Sequence, residues 1–249
     1  MKTLLQIFLL LIISTQTFAK CASSGLYFWP EKQDIHENSI FVIDGFATSQ
    51  KIITGFGTTY KVYLKSNNQK VNLIVQETLK GEFQMTQAVL KPETALSAGQ
   101  EYELIIENLG DMANQVSKYN SKTGKTEKIK WTVVAGRDQT ASVWTNKPTF
   151  KSGSREEFGC GPAVSANFTY TATDNSEFLI KTTVKNKSTE TETTYYLVPG
   201  ENTIRVGHGM CSGAFKLEGS DTFEVEFSLM DASGNLTKWT GNWVEFKRP

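Results

Sequence analysis

The chain has 249 residues, of which 39% are hydrophobic, and its 26 basic and 26 acidic side chains leave no net charge. This length is sufficient for one large domain or for two domains of ordinary size. Because a balanced charge creates no overall field that attracts nucleic acid or an anionic membrane, we expect no nucleic-acid partner.

The first 19 residues have the three parts of a secretory signal peptide. Lys2 provides the positive region, an apolar stretch follows from Leu4 to Ile13, and Thr17-Phe18-Ala19 forms a small-x-small cleavage site. The apolar stretch is shorter than the roughly 20 residues that span a bilayer as a helix. We therefore expect a signal peptide at 1–19, no integral membrane segment after cleavage, and a secreted or periplasmic protein.

Short runs rich in β-branched and aromatic residues follow, separated by turn-forming residues, and long stretches with helical periodicity are absent. In the run at 128–136, Ile129, Trp131 and Val133 alternate with polar residues, as a half-buried strand requires. The predicted strands of this region are 39–46, 60–65, 70–78, 83–91, 101–109 and 128–136. Their regular spacing predicts an antiparallel β-sandwich.

The segment 136–150 interrupts this pattern, and Pro148 is predicted to open the first strand of a second set. The predicted strands of the second set are 163–173, 177–185, 191–198, 203–206, 214–219, 222–231 and 243–247. We therefore predict an all-β chain with one sandwich domain at 20–146 and another at 147–249.

Two stretches carry a resemblance. "NSIFVIDGF" followed by "LKPETALSAGQEYELIIEN" is similar to the immunoglobulin-like domains of secreted bacterial proteins, and "FSLMDASGNLTKW" resembles a hairpin common near their ends. The resemblance implies two tandem immunoglobulin-like domains and roles in adhesion, spacing or binding. It implies no catalytic residues.

The chain has three cysteines, and two of them lie among glycines in the second predicted domain. For an exported sandwich domain, a disulfide between Cys160 and Cys211 is the default expectation. In that pairing Cys21 is the third cysteine. It could stay reduced, cross-link a second chain into a dimer, or compete for one of the other two cysteines.

Catalytic and metal sites are the alternatives for these cysteines. His208 lies three residues before Cys211, but no cysteine-protease signature surrounds either thiol. A zinc site would need His208, Cys211, Cys160 and a further carboxylate, without the usual paired spacings. We predict no enzyme, no metal and no cofactor.

Two further motifs favour turns over ligand sites. Gly124-Lys125-Thr126 resembles the tail of a phosphate-binding loop, but the required earlier glycine is missing, and a basic hairpin tip is expected. The segment from Asp231 to Asn235 resembles the start of a calcium loop, but later ligand positions do not fit, and a Gly-Asn turn is expected.

The predicted function is that of a non-catalytic binding, adhesion or structural module with a protein or polysaccharide partner. The alternative is a carbohydrate-binding module that stacks sugars on exposed tryptophans. Trp239 and Trp243 are the candidate ligand-binding residues for that alternative, although tryptophans in a sandwich more often fill its core.

Overall fold

The computed structural model describes residue 21 and residues 24–67, 69–121 and 123–249. The predicted signal peptide lies outside the described residues. The protein is all-β, as the spacing of apolar runs predicted, with sheets packed face to face around apolar cores. Among the described residues, no helix combines the length and the apolar character needed to cross a membrane.

We call the strands β1 to β10, with the segments that join them, the N-terminal part. They are β1 Ser24–Trp29, β2 Asp34–Ile35, β3 Phe41–Ala47, β4 Val62–Lys65, β5 Lys70–Lys80, β6 Met85–Pro92, β7 Glu101–Ile106, β8 Ser117–Asn120, β9 Lys125–Lys128 and β10 Lys130–Val133. A short helix α1, Gln50–Thr54, follows β3, and a 3-10 helix spans Gly110–Gln115.

The strands β11 to β18 form the C-terminal part. They are β11 Val143–Phe158, β12 Gly161–Thr173, β13 Phe178–Asn186, β14 Glu192–Leu197, β15 Thr203–His208, β16 Thr222–Asp231, β17 Leu236–Thr237 and β18 Val244–Lys247. One sheet has the order β11-β12-β15, and the other has the order β14-β13-β16-β17, with β18 also paired to β16.

In the N-terminal part, the strands follow the order β1-β3-β6-β5-β4-β7-β10-β2, and only the short β2–β10 pair is parallel. The long strand β5 links the two layers, because its first residues pair with β4 and the rest pair with β6. The strands β8 and β9 form a separate two-stranded hairpin.

Each part has its own apolar core, and a third cluster lies between the parts. The third cluster contains Trp29, Ile40, Val42 and Val89 from the N-terminal part and Leu179, Tyr196, Met230 and Ala232 from the C-terminal part. The strand β3 is therefore covered on both faces, which explains its nearly continuous apolar sequence.

Some predicted elements differ from the structure. The segment 214–219 is not a strand, although Phe215 and Leu217 are buried, and a positive φ of 56° at Leu217 interrupts the extended backbone. Pro148 does not open a strand but lies within β11, in a region of register shifts where a missing N–H is tolerated. Because β11 runs through residue 146, the predicted boundary between two tandem domains lies inside a strand.

Candidate functional site

The main polar site of the protein lies between its two parts. Asp44 on β3 and Gln87 on β6 are directly opposite each other in the antiparallel register. Their side chains project from the sheet face that the C-terminal part covers, where they meet Tyr195 and Tyr196 of the strand β14. We call these four residues the interface network.

Gln87 binds the backbone of β14 in the way that a neighbouring strand would. Its side-chain amide donates to the carbonyl oxygen of Tyr196 and accepts from the N–H of Tyr196, each at 3.0 Å. Because β14 is an edge strand, these bonds satisfy backbone groups that would otherwise be unpaired, at a side chain that is only 1% exposed. A single glutamine therefore joins the two parts through main-chain recognition.

Asp44 is the charged centre of the network. Its Oδ1 accepts from the hydroxyl of Tyr195 at 2.6 Å and from the amide of Gln87 at 2.9 Å. Burial raises the pKa of Asp44 from 3.8 to about 6, although both hydrogen bonds favour the ionised form. Burial and the neighbouring carboxylate also raise the pKa of Tyr195, so that its hydroxyl stays a donor.

A second layer of polar contacts surrounds this centre. Glu77 accepts from Lys181 at 3.2 Å and from the hydroxyl of Tyr196 at 3.2 Å. Glu82 accepts from Thr193 and from the backbone N–H of Lys216, each at 2.7 Å. Two carboxylates of the N-terminal part, Glu77 and Glu82, are thus paired with donors of the C-terminal part.

A cleft with a volume of about 290 Å³ opens beside the network. Its lining includes the polar side chains of Asp44, Tyr195, Tyr196, Arg205 and His208. His208 is only 7% exposed, and its Nδ1 lies 2.7 Å from the carbonyl oxygen of Gly209, so Nδ1 carries the proton. Its Nε2 is buried and has no hydrogen-bond partner among the described residues.

The chain segment at the end of this cleft is a tight turn. The strand β15 ends at His208, Gly209 donates to the carbonyl of Ser212 at 2.9 Å, and Gly213 pairs back with His208. Gly213 also exchanges two backbone hydrogen bonds with Phe83, at 2.8 and 3.2 Å. The turn is therefore attached to the N-terminal part by its backbone.

Glycines are required where this turn approaches other backbone. A Cβ on Gly207, whose φ is +151°, would lie 2.0 Å from the carbonyl oxygen of Val164. A Cβ on Gly213 would lie 2.3 Å from Cα of His208. These two glycines, which lie near Cys211 in the sequence, therefore allow close contact between backbone segments.

The disulfide joins Cys21 to Cys211, with Cα atoms 5.5 Å apart, and the predicted pairing of Cys160 with Cys211 is wrong. Cys21 lies just before β1, and the start of β1 is paired with the end of β3 at Ala47. The N–H of Ala47 donates to the carbonyl oxygen of Gln84, in the β5–β6 hairpin, at 2.9 Å. These contacts bring Cys21 close to that hairpin. That hairpin carries Phe83, which pairs with Gly213 two residues after Cys211. The bond therefore connects the two parts, which sequence spacing alone could not reveal.

Cys160 nevertheless lies at the same place. It occupies the two-residue loop between β11 and β12, and all three cysteine sulphurs lie within 4.8 Å of one another. Among the described residues, the cluster of side chains that could bind a metal consists of the three cysteines and does not include His208. The zinc arrangement of His208 with Cys160 and Cys211 that was considered from the sequence is therefore not the one found.

The two candidate tryptophans are both partly covered by the protein. Trp239 is half-buried, packs edge-on against Phe227, and donates from Nε1 to the carbonyl of Asn242 at 3.2 Å. The amino group of Lys147 lies 5.4 Å from the centre of its ring. Trp243 is also half-buried.

The two turn predictions are confirmed. Strands β8 and β9 form a hairpin whose tip contains Gly124 at a φ of 65°. Asp231 Oδ1 accepts from the N–H groups of Ser233 and Asn235, which closes a turn between β16 and β17.

Comparison with known proteins identifies no family. No protein-family model matches the chain, and no curated protein matches it in sequence. Among solved structures, a pullulanase complexed with maltotriose from Anoxybacillus sp. LM18-11 aligns over 90% of this chain at 12% identity and a TM-score of 0.25. A cytokine receptor complex aligns over 89% of this chain and 95% of its own, at 8% identity and a TM-score of 0.25.

The adhesin InvE of Yersinia pseudotuberculosis aligns over 90% of this chain at 12% identity and a TM-score of 0.22. The chain spans 25% of the pullulanase and 58% of the adhesin. Scores this low support no inference about family or function, and the immunoglobulin-like assignment stays a prediction.

The interface network was not predicted from the sequence, although one signal was present. In "FVIDGF", the acidic Asp44 stands within a run that is otherwise apolar on both strand faces. A charge in a doubly covered strand needs partners, and this requirement pointed to a polar site.

Proposed function

We propose that the protein is an exported, non-catalytic β-sandwich module that binds a macromolecular partner in the cell envelope or outside the cell. The observation that supports this proposal is the interface network, which joins the two parts through Asp44 and Gln87. Together with the apolar cluster around Val42 and Met230, it holds loops and sheet edges of both parts in a fixed arrangement.

A fixed arrangement favours binding because less conformational freedom is lost when the complex forms. Inter-domain contacts within a chain are often small and polar and permit relative motion. Here the contact combines buried side chains such as Gln87 and Val89, paired carboxylates and a disulfide. We infer that a rigid shape is what this protein contributes to its partner.

The strand β11 offers an edge for a protein partner. It pairs only with β12 in the described sheets, and its other edge carries unpaired backbone groups. Its first half has register shifts and includes Lys147 and Lys151, features that discourage strand addition. Residues 152–158 pair regularly with β12 and are mostly exposed, so a partner strand can add there.

A photo-reactive amino acid placed at Glu156, on this edge, tests the proposal in envelope and secreted fractions of the native host. The matched control is the same amino acid at Lys51, which is exposed on helix α1 and belongs to no sheet edge. Adducts at Glu156 but not at Lys51 support binding through the edge. Equal adducts at both positions, or none at Glu156, contradict it, and hydrolase activity of the purified protein contradicts the non-catalytic assignment.

A polysaccharide partner is the alternative, with Trp239 and Trp243 as the stacking residues. It receives less support, because both side chains are half-buried and Lys147 lies over the Trp239 ring. Binding to a polysaccharide array that is lost in Trp243→Ala, with unfolding unchanged, would favour this alternative.

A further inference from the structure

The three cysteines of the chain meet at one place, although they come from three separate segments. Cys21 precedes β1, Cys160 lies in the β11–β12 loop, and Cys211 lies in the turn after β15. Their sulphur atoms all lie within 4.8 Å of one another, and each residue is half-buried. Two of these sulphurs form the Cys21–Cys211 disulfide, and the Cys160 thiol lies next to it.

The fold explains why Cys160 stays near this bond. The strands β12 and β15 are paired with Val164 opposite His208, so the β11–β12 loop projects past the end of β15 toward the turn. A Cβ on Gly161, the residue after Cys160, would lie 3.8 Å from the carbonyl oxygen of Met210. Cys160 is thus held against the turn by strand pairing and does not depend on the disulfide.

We propose that the three cysteines form an intramolecular thiol–disulfide exchange site. The Cys160 thiolate attacks Sγ of Cys211, a bond forms between these two sulphurs, and the bond to Cys21 breaks. Cys21 leaves as a thiolate and takes up the proton that Cys160 gave to solvent. The number of disulfides and the electron count stay the same, so the step needs no oxidant or reductant.

Exchange changes what the disulfide connects. The Cys21–Cys211 bond crosses from the N-terminal part to the C-terminal part, whereas a Cys160–Cys211 bond lies within the C-terminal part. The interface network and the polypeptide between β10 and β11 still join the two parts after exchange, but the disulfide cross-link between them is lost. The site therefore controls whether a disulfide cross-links the two parts, while each isomer keeps one disulfide.

Time-resolved disulfide mapping of the full chain tests the proposal. The purified protein is incubated at about pH 8 or about pH 5, quenched in acid, labelled with N-ethylmaleimide, digested without reduction and analysed by mass spectrometry. Because the thiolate and not the thiol is the attacking species, exchange is expected to be much slower at the lower pH.

The expected result is label on Cys21 and a Cys160–Cys211 peptide, both increasing with time at the higher pH at a rate independent of protein concentration. The proposal is overturned if the label stays on Cys160 at every time point. It is also overturned if the rate rises with protein concentration, since the exchange would then occur between molecules.

Two variants control for folding and for the attacking group. Cys160→Ser keeps the Cys21–Cys211 disulfide and is expected to show no label on Cys21 at any time; label there would overturn the assignment of Cys160 as the nucleophile. Cys21→Ser, refolded with oxidised and reduced glutathione, is expected to give a Cys160–Cys211 disulfide. Glutathione on both thiols instead would show that these two sulphurs cannot bond and would overturn the proposal.

Discussion

Asp44→Asn is expected to stabilise the protein near neutral pH and to remove much of its pH dependence. In the folded protein the pKa of Asp44 is about 6, against an ordinary value of 3.8, because burial disfavours the charged form. Between these two values the folded state holds the proton more tightly than the unfolded state. The free energy of unfolding therefore falls as the pH rises through this window.

The size of the effect follows from the two pKa values. At 1.36 kcal/mol for each tenfold change in proton affinity, ionisation of Asp44 above pH 6 costs about 3 kcal/mol. Residual exposure of the side chain to solvent reduces this to between about 1 and 3 kcal/mol. Asparagine is the neutral counterpart of the protonated acid, and its oxygen can still accept from Tyr195 and Gln87.

Urea unfolding between about pH 4 and pH 8, followed by tryptophan fluorescence, measures this difference. We expect the variant to match the wild type near pH 4 and to exceed it by about 1–3 kcal/mol near pH 7.5. Burial also raises the pKa values of Glu177 and Asp231, but both residues are present in each protein and cancel in the comparison. Asp111→Asn, at an exposed position, is the matched control. Parallel pH profiles for wild type and Asp44→Asn would refute the reasoning.

Three further substitutions test the interface, the turn and the tryptophan site by the same unfolding assay. Tyr195→Phe removes a donor to Asp44 and is expected to lower the free energy of unfolding by about 1–3 kcal/mol at pH 7.5, where Asp44 is charged, and by less near pH 5. An equal loss at both pH values would show that the charge on Asp44 does not strengthen this hydrogen bond. Gly207→Ala is expected to cost more than about 3 kcal/mol, because its Cβ would overlap a backbone oxygen, whereas Gly209→Ala should change little; similar values for the two would be the contrary result. Trp239→Ala is expected to cost about 2 kcal/mol through lost packing, and an unchanged stability would show that its indole is available for ligands.

Local pattern predicted the strands well and long-range contacts poorly. The alternation in "TFEVEFSLMD" gave β16 as 222–231, because its inner face is apolar and its outer face is polar. The segment around Phe215 has a similar alternation, but burial of its apolar residues is achieved by an irregular backbone. Periodicity reports which side chains are buried and not which backbone groups are paired.

The cysteine pairing shows a second limit of the sequence. The pairing of Cys160 with Cys211 was the default expectation for an exported sandwich domain, and the structure does bring these two residues together. The bond to Cys21 depends on how Phe83 and Gly213 join the two parts, which no local pattern records. The contact between Asp44 and Tyr195 is also a long-range one that local pattern does not reveal, because the two residues are 151 positions apart along the chain.

The proposed function requires that the interface network make the two parts one rigid body. Backbone ¹⁵N relaxation of the intact protein, analysed separately for amides of β7 in the N-terminal part and β13 in the C-terminal part, tests it on the nanosecond timescale. We expect both sets to fit a single rotational diffusion tensor. Separate and shorter correlation times for the two parts would contradict the claim and, with it, the proposed mode of binding.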